Sequence, residues 1–180
     1  MSKTKSYLLP AGRRSDLKKA AAKGLDNFSS PETEVVQDVY HAIAGSLQKE
    51  IKKRGLNELS LVRRQWWLVH QLNSALAGDG SVGLMYNQPE LINAGIEGLA
   101  SLKLPHTMKL LKYAKSIIPK EFDPDKRGKK YLAWVEEGMP AEQAEQLDAL
   151  CEKAEPYTKG SLQFSTKLAL KHPSEFFEAE

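Results

Sequence analysis

Gly78-Asp79-Gly80-Ser81-Val82-Gly83 spells G-x-G-x-x-G, the spacing with which a dinucleotide-binding turn brings its backbone against a pyrophosphate. That chemistry needs a strand before the turn and a parallel sheet to deliver it. Here the preceding residues repeat with helical spacing, so Gly78 to Gly83 read as a flexible loop between helices. Asp123-Pro124-Asp125-Lys126-Arg127-Gly128 opens like a calcium loop. Its fifth position is Arg127 and its twelfth Trp134, where an oxygen ligand and a bidentate glutamate belong, so it reads as a turn with a helix cap. Ser15-Asp16-Leu17-Lys18 fits S-x-x-K with no second activating motif nearby. His41, His70, His106 and His172 lack metal-ligand spacing. Cys151 lies among Asp148, Glu152 and Glu155, whose charges oppose thiolate formation. No catalytic residue, metal site or cofactor follows from these residues, and none is expected.

Two features suit binding better than catalysis. Trp66-Trp67 resembles a base-stacking pair, but neighbours on a helix diverge by about 100°. One ring, with Trp66 the better match, is expected in the core and the other at a boundary. Over residues 136–155, Glu136, Glu137, Glu142, Glu145, Asp148, Glu152 and Glu155 face a single lysine, Lys153. The plain reading is a solvated helix face; the functional one is a docking surface for a basic partner. Glu145 and Glu152 are seven apart and Glu142 lies three before Glu145, so the three share a side. They are the partner-binding candidates, with Leu147, Leu150 and Cys151 turned to the core.

The elements that must position these residues are helical. Ser30-Pro31-Glu32 is a helix start: the serine oxygen can cap, proline fits the first turn, and glutamate suits the positive end. Val35, Val39, Ile43, Leu47 and Ile51 follow at four-residue spacing, widened by Val36, Tyr40 and Ala44, until Lys52-Lys53-Arg54 and Gly55. Ser60 opens a second helix to about Ala77 with Trp66, Val69, Leu72 and Leu76 on one face. Asn87-Gln88-Pro89-Glu90 resembles a cap for a third, through Leu91, Ile92, Ile96 and Leu99. Leu104-Pro105 starts a fourth, with Met108, Leu111, Ala114 and Ile118, until Pro119. A polar connector, 119–125, leads to helices over 126–137, 140–155 and 159–171, the last stopped by His172-Pro173. No strand-like alternation appears. The expectation is an all-α bundle of about seven or eight helices without a sheet.

Composition sets the organisation. Residues 1–25 hold seven Lys/Arg against Asp16 alone, and beyond Leu17, Leu25 and Phe28 residues 1–29 offer few large apolar side chains. They read as a basic tail, with the pattern broken over 26–30, and removing 1–29 should leave a cooperatively folded domain over 30–180. Residues 101–130 hold nine basic groups against three acidic ones, whereas 131–180 hold four lysines against ten Asp/Glu. The net charge of +3 therefore says little about the partner. One cysteine, no signal-peptide h-region and no apolar run of membrane length imply a soluble cytoplasmic protein.

From about Val36 to Phe177 the layout resembles the bacterial DNA-mimic protein family, long listed as a domain of unknown function. The likeness runs through Leu59-Ser60, the Gln65-Trp66-Trp67-Leu68-Val69 helix, Tyr86-Asn87 and Gly95-Ile96-Glu97-Gly98-Leu99. It continues through Leu110-Leu111 with Ala114 to His172-Pro173-Ser174-Glu175-Phe176-Phe177. The family's central Asn-Gly-Gly followed by aromatics stands here as Asp79-Gly80 with Leu84-Met85-Tyr86. The resemblance implies an all-α fold, no enzymatic activity, and an acidic surface that imitates DNA phosphates toward a DNA-binding protein. Phosphate mimicry needs dense negative charge, which only 136–155 with Glu175, Glu178 and Glu180 offer. An immunity- or antitoxin-like binder is a further role it allows, one that tolerates either sign of surface charge.

The leading reading is a non-enzymatic protein-binding module, regulatory or toxin-neutralising, with a basic or DNA-binding protein as partner and no membrane. A nucleic-acid binder using the basic tail and the 101–130 stretch is the alternative, and an enzyme assembled from scattered residues the third. A salt-dependent shift with duplex DNA would favour the second, and a deep polar pocket with perturbed carboxylates the third.

Overall fold

In the computed structural model, Ser30 caps the helix as its chemistry predicts: Oγ accepts from the N–H of Thr33 at 3.2 Å, with Pro31 in the first turn. The structure describes residues 7–23, 30–155 and 161–179. All but Ser30 of the expected break at 26–30, the first residues of the expected 159–171 helix and Glu180 lie outside them. Of the described residues 79% are helical and none forms a strand, so the fold is all-α. Eight α-helices are described: α1 (Ala11–Ala22), α2 (Pro31–Arg54), α3 (Leu61–Val82), α4 (Glu90–Gly98), α5 (Pro105–Ile117), α6 (Lys129–Ala133), α7 (Ala141–Cys151) and α8 (Ser161–Lys171). They fall into two units, Met1–Trp67 with Leu162–Glu180, and Leu68–Ser161.

The first unit is built around α2. Its buried face is Val36, Val39, Tyr40, Ile43, Leu47 and Glu50, while Val35 is exposed and Ile51 half-buried. Repeated steps of four overshoot the 3.6-residue turn by about 40° each. A stripe read at constant four-residue spacing must therefore wind off the core, and the alternation of threes and fours prevails. Trp66, Leu168, Ala169, Phe176 and Phe177 complete the cluster, and the Trp66 indole N–H donates to the Ser165 carbonyl. Leu17 and Ala20 of α1 belong to it as well. The stretch read as a basic tail thus holds a helix packed on α2, with more burial than its alanines and lysines announced. Leu9 pairs with Phe177 in an isolated parallel bridge, its N–H donating to the Phe176 carbonyl at 2.9 Å.

The same unit buries an ion pair. Glu50 and Arg63 are each 1% exposed and meet at 2.7 Å, and Arg54 reaches the other Glu50 oxygen at 2.6 Å. Arg63 also donates to the Glu175 carbonyl and stands 5.8 Å from the centre of the Phe176 ring. Ser60, whose hydroxyl faces the N–H of Arg63, donates to the Glu175 carboxylate at 2.6 Å.

The second unit begins with the remainder of α3, where Leu68, Val69, Leu72, Ala75 and Leu76 are buried. The helix does not end at Gly78. It runs to Val82 through a break at Asp79 and Gly80, and a π-helical turn, Gly83–Asn87, follows. The expected loop is therefore absent, and its glycines serve the break. Gly80 sits at φ +56, and a Cβ on Gly83 would lie 2.0 Å from the Ala75 carbonyl oxygen. Both positions exclude a side chain. Asn87 does not cap α4; its amide donates to Asp79 at 2.9 Å, and Pro89 occupies the cap position with no side-chain bond.

Helices α4, α5 and α7 continue the unit, α5 touching both of the others. A Cβ on Gly95 would strike the Leu111 methyl at 2.7 Å, so glycine sets the close approach of α4 to α5. The expected 126–137 helix is shorter and divided: a 3₁₀ turn at Pro124–Lys126, then α6, then a second π-turn at Trp134–Gly138. Tyr131 is buried there and donates to the Met85 carbonyl at 2.6 Å. One member of the acidic stretch also turns inward. Glu155 is 3% exposed and accepts from the N–H groups of His106 and Thr107 and from the Thr107 hydroxyl, at 3.0, 2.8 and 2.6 Å. It caps α5 across the unit, so it leaves the surface set.

Candidate functional site

Helix α7 owes its orientation to Leu147, Leu150 and Cys151, which are buried with Ala154 just beyond its end. Period 3.6 then forces the intervening residues outward, and Glu142, Glu145, Asp148 and Glu152 are all exposed. Glu142 suits the positive end of the helix, but Asp148 and Glu152 stand at the negative end, where the last turn holds no basic residue. Among the described residues none of the four makes an ion pair. The three sequence candidates, Glu142, Glu145 and Glu152, are thus brought onto one accessible surface.

The sequence reading did not anticipate what lies beside that surface. The broken end of α3 faces the C-terminal end of α7, and a Cβ on Gly80 would be 3.9 Å from Asp148 Oδ1. Between them is an open cleft of about 370 Å³, lined by Leu76, Ala77, Gly78, Gly80, Asp148, Cys151 and Glu152. Asp148 was one acid among seven in the sequence, and only the tertiary fold joins it to the glycine run. The one signal available was its placement three after Glu145 and four before Glu152.

Electrostatics beside the acidic row disfavour a cysteine nucleophile. Burial, and then the charges of Asp148 and Glu152, push the Cys151 thiol up to about 12, so no thiolate is available at neutral pH. On the paired π-turns, the hydrogen bond of Tyr86 with Glu136 and the charge of that carboxylate raise the phenol above its usual value. Glu155 is pushed up by burial, but the donated bonds from Thr107 and His106 outweigh that effect and hold it below the ordinary carboxylate value. It remains charged, in service of α5. Among the described residues no group of His, Cys, Asp or Glu is placed to hold a metal ion, and no helix is long and apolar enough to cross a membrane.

The basic residues are distributed differently. On α1 Arg13 pairs with Asp38, and just past its end Lys23 pairs with Glu32, which neutralises part of that face. On α5, Lys109, Lys112 and Lys115 are exposed and make no ion pair among the described residues. A family sequence model described as DMP19-like protein matches residues 57–171. No curated protein and no solved structure matches the chain.

Proposed function

Because the chain belongs to the DMP19-like family, the DNA-mimic family its layout resembles, we propose that it works by protein binding, docking a basic, DNA-binding protein on the acidic face of α7. The observation that carries this reading is the row Glu142, Glu145, Asp148 and Glu152, exposed and without a cationic partner among the described residues. Like charges at such spacing repel by a few tenths of a kcal/mol per pair. A positive surface relieves that repulsion and is steered by it, an effect on association rate more than on final affinity. The net positive charge of the chain does not oppose this, because the second unit alone holds 13 Asp/Glu against 11 Lys/Arg.

The test is competition. A DNA-binding protein captured by the full chain is released by duplex DNA if both occupy the same basic surface. The triple variant Glu142→Gln, Glu145→Gln, Glu152→Gln associates at least several-fold more slowly at low salt. Association unchanged in the variant, with no displacement by DNA, rules the reading out.

Direct nucleic-acid binding is the second reading, favoured by the exposed Lys109, Lys112 and Lys115 on α5, which make no ion pair among the described residues. A mobility shift with duplex or single-stranded DNA, lost with the three lysines changed to glutamine, would place it first.

A further inference from the structure

We propose that the cleft at the α3 break is the receptor for one arginine side chain of the docked partner. The inference rests on the docking reading above and names the anchor within it. The cleft, about 370 Å³, is at the small end of the roughly 300–1,000 Å³ range of ligand pockets, a size for one side chain rather than a folded segment. Its walls are of two kinds. The exposed Ala77 offers apolar surface for an alkyl stem, and Asp148 and Glu152, one helical turn apart, offer two carboxylates for a planar head with several donors. The entrance is bare, because Gly78 and Gly80 carry no side chain and a Cβ on Gly78 would meet nothing within 4 Å.

The position of the two carboxylates points to a cation independently of their number. They stand at the C-terminal end of α7, where the helix dipole is already negative and no lysine or arginine occupies the last turn. No described basic group pairs with either. An incoming guanidinium therefore meets both carboxylates and the helix end together, and its stem lies against Ala77. Arginine fits better than lysine, since a forked planar head can engage two acceptors at once while a point charge cannot.

The experiment uses the full chain labelled with ¹⁵N and titrated with N-acetyl-arginine amide. N-acetyl-citrulline amide, of nearly the same shape without the charge, is the control. The expected result is saturable shifts confined to the backbone amides of residues 78–83 and 148–152, at least tenfold weaker with citrulline. Gly78→Leu fills the cleft and leaves every carboxylate in place; Asp148→Asn removes one carboxylate and leaves the cleft open. Each weakens arginine binding at least tenfold while thermal melting shows the chain still folded. Shifts spread along α7, shifts indifferent to Gly78→Leu, or no shifts at tens of millimolar overturn the proposal. Failure of the docking reading looks different. Glu142→Gln with Glu145→Gln then leaves partner association unchanged, whatever the arginine derivative does. If that pair slows association and Gly78→Leu does not, the face docks and the cleft is not its anchor.

Discussion

At the scale of single residues, the least expected feature is the buried Glu50–Arg63 pair with Arg54 beside it. Removing one member leaves a buried charge without its partner, so Glu50→Ala is expected to destabilise the chain by about 3–5 kcal/mol. Replacing both Glu50 and Arg63 by methionine should cost far less. Urea unfolding of the single and double variants checks the contrast, and equal losses would contradict it. Glu155 supports a pH prediction. Its folded pKa lies below the ordinary value, so the stability it contributes is full above that value and is lost as pH falls through the folded one. Glu155→Gln is expected to lower stability at neutral pH and to flatten the acid limb below about pH 5. A melting-temperature profile against pH, unchanged in slope by the variant, would exclude the assignment. Such residues were partly legible. Glu50 falls on the 36–39–43–47–50 progression and Arg63 lies three before Trp66, yet nothing in the pattern singles out either charge, and Glu155 reads as one of a solvated acidic row. The fold alone shows which charges have partners inside.

At the scale of elements, the break in α3 separates what a one-dimensional pattern can and cannot show. Gly78, Gly80 and Gly83 were visible as breakers, and a loop was the natural expectation. The helix instead resumes and turns back on itself, because the Ala75 carbonyl meets the space that Gly83 leaves open. Gly83→Ala is therefore expected to destabilise by roughly 1–3 kcal/mol, the range for forcing atoms into filled space, whereas Gly78→Ala should be neutral or stabilising. Similar losses at the two positions in denaturant unfolding would contradict the close approach. The start of α2 was legible because one serine and one proline suffice to set it. Helix α1 was not, since its interior face consists of Leu17 and Ala20 within a basic run. Leu17→Ala is expected to cost about 2–5 kcal/mol, the range for a leucine cut from a packed core. A loss under 0.5 kcal/mol would restore the tail reading. The candidate site shows the same limit. Glu142, Glu145 and Glu152 follow from helical period, but the cleft beside them needs two segments about 70 residues apart in the sequence.

At the scale of the whole molecule, charge is divided by unit: 15 Lys/Arg against 10 Asp/Glu in the first, and 11 against 13 in the second. Docking on the acidic unit should slow as salt rises, since screening sets in over about 8–10 Å near physiological ionic strength. Stopped-flow association at several salt concentrations measures it, and a flat dependence speaks against electrostatic steering. The pairing of Leu9 with Phe177 has a separate consequence, one of time. Residues 68–161 are continuous, whereas the first unit needs Phe176 and Phe177 to close its cluster. On a ribosome adding about 5–20 residues per second, the apolar face of α2 emerges and then waits several seconds for those two rings. During that interval Val36, Val39, Ile43 and Leu47 lack their final cover, an apolar surface open to association with other chains.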